Sequence, residues 1–195
     1  MLKTLFLSEN FETYDGSQLA PLRNYLKFGL SGSSCISWIG PCCVRPEFMV
    51  DGEDVRSESE IASDSMVHFI AELFHIDLIG AIAFQRLMAE IAREVIYSCG
   101  TNTGIFTSEQ GRLILREGDD LFWEGRKLSI SIATRSAGSC LVHFAVNVVR
   151  GGAPIPVSCL EELGVNPSSF AMNFLSRIEQ EWDDMWFAYY KVRSF

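Results

Sequence analysis

Apolar and polar residues alternate most regularly between Gly118 and Val149. After Glu124-Gly125, which has the chemistry of a tight turn, Leu128, Ile130 and Ile132 fall on one side of an extended chain and Lys127, Ser129 and Ser131 on the other. The next run alternates too, with Val142, Phe144, Val146 and Val148 on one side and Leu141, His143, Ala145 and Asn147 on the other. If one face of such a hairpin is buried, a slip of one residue turns the apolar set outward, so residues of equal parity are expected opposite each other. A three-residue loop, Ser136-Ala137-Gly138, meets that requirement and sets Lys127 opposite Asn147 and Ser131 opposite His143. A lysine, a histidine, an asparagine and two serines then share one face.

Elsewhere the pattern predicts a first strand over residues 2–7, a turn at Tyr14-Asp15-Gly16-Ser17, and a helix over 18–28 spaced by Leu19, Leu22 and Leu26 with Arg23 on a neighbouring face. A strand follows over 35–39, and a second over 44–50 is interrupted at Pro46. Residues 51–64 are polar and loop-like, and 66–73 fit a strand or a helix equally. Asp77 caps a helix to about 98, with a stripe of Phe84, Leu87, Met88, Ile91 and Val95 and with Gly100 just beyond. Residues 101–107 lead to a strand over 112–116. Ser158 and Glu161 have the spacing of a reciprocal cap for a single turn ended by Gly164. Asn166-Pro167 then opens a long helix whose stripe runs Phe170, Phe174, Ile178, Trp182, Met185 and Tyr189. The aromatic excess near Trp182, Trp186 and Tyr190 leaves room for a homodimer.

The 195 residues, 48% of them apolar, suit a single domain over 1–195. A net charge of −9 opposes binding to a phosphate backbone, so no nucleic-acid partner is expected. No apolar run reaches about 18 residues and the N-terminal apolar stretch is too short for a signal peptide, which predicts a cytoplasmic protein without a membrane partner. The cysteines (Cys35, Cys42, Cys43, Cys99, Cys140 and Cys159) are expected reduced. Adjacent Cys42 and Cys43 lack the second pair that a zinc site needs, so no metal is expected there.

The polar face has two readings. It is either wetted by solvent, or it is a binding floor where small residues beside one cation leave space for a ligand with developing negative charge. Asp-Asp-Leu-Phe-Trp-Glu-Gly-Arg-Lys-Leu-Ser-Ile-Ser from Asp119, with a later strand ending Ala-Val-Asn-Val, resembles the core signature of the biotin- and lipoate-protein ligases and the lipoyl(octanoyl) transferases. Met66-Val67-His68-Phe69 is similar to their Tyr-His-Gly stretch, and Ser158-Cys-Leu-Glu-Glu-Leu-Gly164 to their Thr-Ser-Leu-x-x-Glu-Leu-Gly segment. Length and texture are also similar to a small family of unknown function in that superfamily. The resemblance implies an α/β domain with a mostly antiparallel or mixed sheet and long helices packed across it.

The implied function is that of an acyl- or cofactor-transferase or ligase acting on a small carboxylic acid or acyl group. Lys127 would hold charge at the carbonyl or at an activated phosphate, with His143 and Asn147 orienting it or the substrate. His68, Ser129, Ser131, Arg126 and Arg23 are substrate-binding candidates. The chain departs from those families in two places. The acidic stretch over 51–64 stands where the ligases have an Arg- and Gly-rich loop, which leaves ATP and Mg²⁺ open, with Asp119 and Asp120 as metal carboxylates only if a nucleotide is used. The transferases' Pro-Cys-Gly motif is missing, so Cys159 does not inherit the acyl-thiol role. A binding protein that keeps the fold without catalysis, and an assembly protein built around the terminal helix, remain the alternatives.

Overall fold

A computed structural model describes residues 1–9, 11–100 and 113–193. Its elements in chain order are β1 (Lys3–Glu9), α1 (Arg23–Phe28), β2 (Ser34–Cys43), α2 (Gly52–Ser57), β3 (Ala62–Leu73) and α3 (Leu78–Gly100). They continue with β4 (Ile114–Glu117), β5 (Asp120–Trp123), β6 (Arg126–Lys127), β7 (Ser129–Arg135), β8 (Cys140–Asn147) and α4 (Pro167–Lys191). One sheet has the order β1-β2-β3-β8-β7 and a smaller one the order β4-β5-β6. β1 runs parallel to β2 and the other neighbours are antiparallel, so the sheet is mixed and the protein is α/β.

The helices α3 and α4 cover one face of the large sheet. Phe84, Met88 and Val95 of α3 and Phe170, Phe174, Ile178 and Trp182 of α4 pack with Phe69, Val142, Phe144 and Val146. The Phe69 and Phe174 rings lie 4.3 Å apart, and Phe84 meets Trp182 edge-on at 5.1 Å. Both helices start where capping chemistry puts them: Asp77 Oδ1 accepts from Gly80 N at 2.8 Å, and Asn166 Oδ1 from Ser169 N at 2.9 Å. The α4 stripe stops being buried after Trp182, and Tyr189 is 70% exposed. On the opposite face a smaller cluster gathers Tyr14, Ile36, Trp38, Met66, Ile70 and Ala145. No described helix is long and apolar enough to cross a membrane.

The β7–β8 register differs from the parity expectation. Ser129 pairs with Val146, Ser131 with Phe144 and Ile132 with His143, and the loop is four residues, 136–139, rather than three. Ser136 closes it, its amide donating to Ser139 O at 2.8 Å and its hydroxyl accepting from Ser139 N at 3.0 Å. Ile130 and Ile132 therefore share a face with His143, while Ser129 and Ser131 share one with Val146 and Phe144. Parity fails as a guide because both faces of β8 are buried, so neither register exposes an apolar set to water. The inward hydroxyls are satisfied as well, Ser129 Oγ accepting from Leu121 N at 2.8 Å.

Shorter segments differ too. The first helix begins only at Arg23, because Leu22 sits at φ 61° with its amide donating to Glu72 Oε1 at 2.8 Å. Pro46–Phe48 forms a single 3₁₀ turn with Pro in its first turn, not a strand. The supposed loop over 51–64 holds α2, capped by Asp51, and the start of β3. Ser158 and Glu161 do not form the reciprocal cap: Ser158 Oγ donates to Arg126 O at 3.1 Å, and Glu162 instead accepts from Cys159 N at 3.1 Å. Residues 101–107 and Arg112 lie outside the described residues.

The strand read as continuous after Glu124-Gly125 is divided at Leu128. Glu124 and Gly125 have φ 50° and 72°, as a type I′ hairpin requires, and β6 stays in the small sheet. Leu128 N then donates to Leu121 O at 2.7 Å, and Leu128 O accepts from Asn147 N at 3.0 Å, so one residue belongs to both ladders. Its side chain is 0% exposed in the main core. Leu128→Ala is expected to cost about 2–5 kcal/mol, as other core leucine truncations do. Chemical denaturation should show it, and a loss below about 1 kcal/mol would mean that the Leu128 side chain contributes little to the core.

Candidate functional site

On the sheet face away from α3 and α4 lies a cleft of about 450 Å³. Met66 of β3, Ile130 and Ile132 of β7, and His143 and Asn147 of β8 line its sheet side. Val50, Glu53 and Asp54 face it from the α2 region, and Ala153, Pro154, Ile155 and Val157 from the segment after β8. That last segment is turned by Gly151 and Gly152 pressed against Asp64: Asp64 N donates to Gly151 O at 2.9 Å. Gly152 has φ 76°, and a Cβ there would meet the Asp64 backbone nitrogen at 2.7 Å.

Lys127 is placed by its main chain. Its carbonyl accepts from Ser158 N at 3.0 Å and from Asn147 Nδ2 at 3.3 Å, which ties the end of β6 to β8 and to the returning segment. Its ammonium meets Asp120 Oδ2 at 2.8 Å. Burial pushes the Asp120 carboxyl above its usual range; Lys127 pulls the other way, and Asp119 and Asp54 reinforce the rise. Asp119 in turn accepts from Gln85 and Ser131, each at 2.7 Å.

Behind the floor stands a histidine pair. His68 Nε2 lies 3.1 Å from Gly40 O, and His68 Nδ1 lies 3.1 Å from His143 Nε2. A carbonyl can only accept, so His68 carries its proton on Nε2, and its Nδ1 accepts from His143 Nε2–H. The lone pair of His143 is thereby assigned to Nδ1. Burial lowers His68 to about 4, against the pull of the Gly40 and Pro41 backbone, and burial with the neighbouring His68 holds His143 well below the usual range. Both rings are neutral at neutral pH. Tyr14 stacks on His143 with centroids 3.7 Å apart.

Among the residues singled out from sequence, Lys127, His143, Asn147, Ser131, Asp119 and Asp120 line the cleft. Four others are placed elsewhere. His68 is 0% exposed behind His143, and Ser129 is buried against Leu121. Arg126 turns to Glu162 at 3.1 Å and lies over Trp123, while Arg23 pairs with Glu12 and lies over Trp38. Each guanidinium meets a carboxylate, Arg23 that of Glu12 and Arg126 those of Glu162 and neighbouring Glu124, while Arg23 Nη1 is buried without a hydrogen-bond partner among the described residues. Sequence reasoning missed Tyr14, Met66 and the α2 acids; only α2 left a signal, in the capping residue Asp51 ahead of Glu53 and Asp54. Cys42 is buried and Cys43 exposed, and among the described residues no three His, Cys, Asp or Glu side chains gather as metal ligands.

A mixed sheet with two long helices on one face and a cleft on the other is the fold of the biotin protein ligases. The Leishmania major enzyme, solved with biotin, superposes with a TM-score of 0.59 at 10% identity, over 90% of this chain and 72% of that one. The Aquifex aeolicus enzyme with biotin and ATP gives 0.55 at 12% identity, over 91% and 69%. The chain belongs to the family described as a domain of unknown function, DUF366, whose model matches residues 2–193. A protein of unknown function from Pyrococcus horikoshi is 37% identical, with a TM-score of 0.89 over 100% of both chains. An uncharacterised protein from Methanocaldococcus jannaschii is 29% identical over 190 residues, 92% of this chain and 80% of that one.

Because His68 has a folded pKa of about 4 against 6.5 unfolded, the unfolded chain binds the extra proton between those values. The contribution is complete above pH 6.5 and is lost as pH falls toward 4. His68→Phe should flatten the decline of denaturation free energy with acidity across that window, and equal slopes for the two proteins would contradict the buried neutral pair.

Proposed function

We propose that the cleft receives a small carboxylic acid or its acyl derivative and that the protein acts in acyl or cofactor transfer of the ligase and transferase kind. The observation that carries this reading is the Lys127 ammonium set in a concavity beside an apolar floor of Met66, Ile130 and Ile132. An ammonium has three donors, and Asp120 takes one of them. The others are available to a carboxyl or carbonyl oxygen, where a fixed cation stabilises developing negative charge best if water is sparse. Asn147 acts on this group indirectly, holding the Lys127 carbonyl.

Biotin, named as the ligand of the structural neighbours, is an acid with an apolar body of this general type. Their other ligand, ATP, does not fit the lining. A polyphosphate needs several cations or a cradle of free amides, whereas Lys127 faces Asp51, Glu53, Asp54, Glu60, Asp119 and Asp120, with no arginine or second lysine among the described lining residues. That same lining favours a second reading, a binding protein that keeps the fold without the ligase chemistry.

A thermal-shift panel of octanoate, lipoate and biotin, with and without ATP and Mg²⁺, tests both points. A shift with the acid alone is expected, unchanged by nucleotide. Lys127→Ala should abolish it while lowering stability by no more than about 1 kcal/mol, since the Lys127–Asp120 pair is partly exposed. A large loss of stability with acid affinity unchanged would refute the role given to Lys127.

A further inference from the structure

The ammonium of Lys127 already has an anion. Asp120 Oδ2 stands 2.8 Å from it, and among the described residues no other side chain meets the Asp120 carboxylate. The contact is local to the β5–β6 hairpin. Lys127 pairs with Phe122, and Asp120, two residues earlier on the same strand, projects from the same face. Both side chains are largely withdrawn from water, with exposures of 29% for Lys127 and 25% for Asp120.

The surroundings offer Asp120 no second cation. Asp119, just before it, accepts through Oδ2 from Gln85 of α3 and from Ser131 of β7, each at 2.7 Å. Glu53 and Asp54 of α2 face the cleft with Asp51 and Glu60 beside them, and the floor adds the uncharged rings of His143 and Tyr14. Burial disfavours the ionised form of Asp120, as do Asp119 and Asp54, and Lys127 alone favours it.

A ligand carboxylate that reaches Lys127 must share it with Asp120. Hydrogen bonding permits this, because an ammonium has three donors. Charge opposes it: one cation then touches two carboxylates, with a third beside them at Asp119. Carboxylates crowded onto one site hold a proton between them, since the first protonation relieves the repulsion. Asp119 is committed to its two donors, which leaves Asp120.

We propose that Asp120 couples acid binding to proton uptake: as the ligand carboxylate meets Lys127, Asp120 takes one proton from solvent and stays beside the ligand as a neutral hydrogen-bond donor. The assignment rests on the reading of the cleft given above and adds control by pH to the same site. One anion and one proton enter together, so charge balances, and the only bond formed is the O–H of Asp120. The complex keeps that proton to a higher pH than the free protein would. Affinity is therefore greatest on the acid side and is lost as pH rises, by at most about tenfold per unit of pH.

Titration calorimetry with octanoate, lipoate and biotin tests this between about pH 5.5 and 8.5, where an ordinary carboxyl stays ionised. Pairs of buffers with different heats of ionisation report the protons exchanged. The expected result is an uptake of more than about half a proton per acid at some pH in that range, with affinity falling about tenfold or more toward the alkaline end. Asp120→Asn keeps the shape and removes the charge. It should bind the acid without uptake, with a flat pH profile, and more tightly than the wild type at the alkaline end; Asp120→Ser serves in its place if the first variant does not fold. Acid binding without uptake by the wild type would overturn the role of Asp120 and leave the reading of the cleft intact. Uptake that persists in the variant would overturn it too, by placing the proton on another group such as His143. If none of the three acids binds, the reading of the cleft falls and this inference with it.

Discussion

The pairing of β3 with β8 fixes what meets on each side of the sheet, from Met66 opposite Asn147 to Leu73 opposite Cys140. Phe69 and Phe144 sit opposite each other and turn toward α4, whose Phe174 packs on both. The residues that alternate with them, Met66, His68, His143 and Asn147, turn the other way, toward the cleft or the ring stack behind it. Because side chains alternate with period two, one register serves both faces, and a slip by one residue would drive His68 into the helix-covered core and Phe69 into the cleft. The core and the candidate site thus rest on a single constraint.

A second linkage brings Lys127 to that sheet. The hairpin of β5 and β6 could be displaced as a unit, since it belongs to a separate small sheet. Leu128 prevents this by giving its amide to one ladder and its carbonyl to the other. The Asn147 side chain and the amide of Ser158 then bond the neighbouring carbonyl. Each such hydrogen bond contributes only about 1 kcal/mol net. Their value here is directional, because together they determine where the ammonium stands relative to the apolar floor. Gly151 and Gly152, pressed against Asp64, bring the returning segment close enough for Ser158 to take part.

The sequence carried the long elements plainly. The α3 and α4 stripes, the caps at Asp77 and Asn166, and the alternation in β7 and β8 each state a period and an end. It did not carry the register of β7 on β8. That inference assumed one wet face, and with β8 buried on both faces the pattern loses its power to discriminate. α2 was hidden for a related reason: none of its residues is buried, so it has no apolar stripe to read. Lys127, His143 and Asn147 were picked out from turn chemistry, alternation and family likeness, whereas the contact between His68 and His143 depends on strand pairing across the whole chain. Arg23 and Arg126 look available in the sequence because their pairing with Glu12 and with Glu162 and Glu124 is set by the fold.

The two sides of the cleft differ in how firmly they are held. The sheet side is made of strands at the centre of the fold, and its histidine pair is buried with a settled pattern of donors and acceptors. The α2 side is a short helix with no buried residue, close to solvent. Charges there are screened within about 10 Å by ordinary salt and contribute more to steering a ligand inward than to holding it. The floor, with apolar Met66, Ile130 and Ile132 beside the hydrogen-bonded His143, is the firmer boundary of the cleft. A relative with the same fold could therefore change its rim charge with little effect on the shape of the floor.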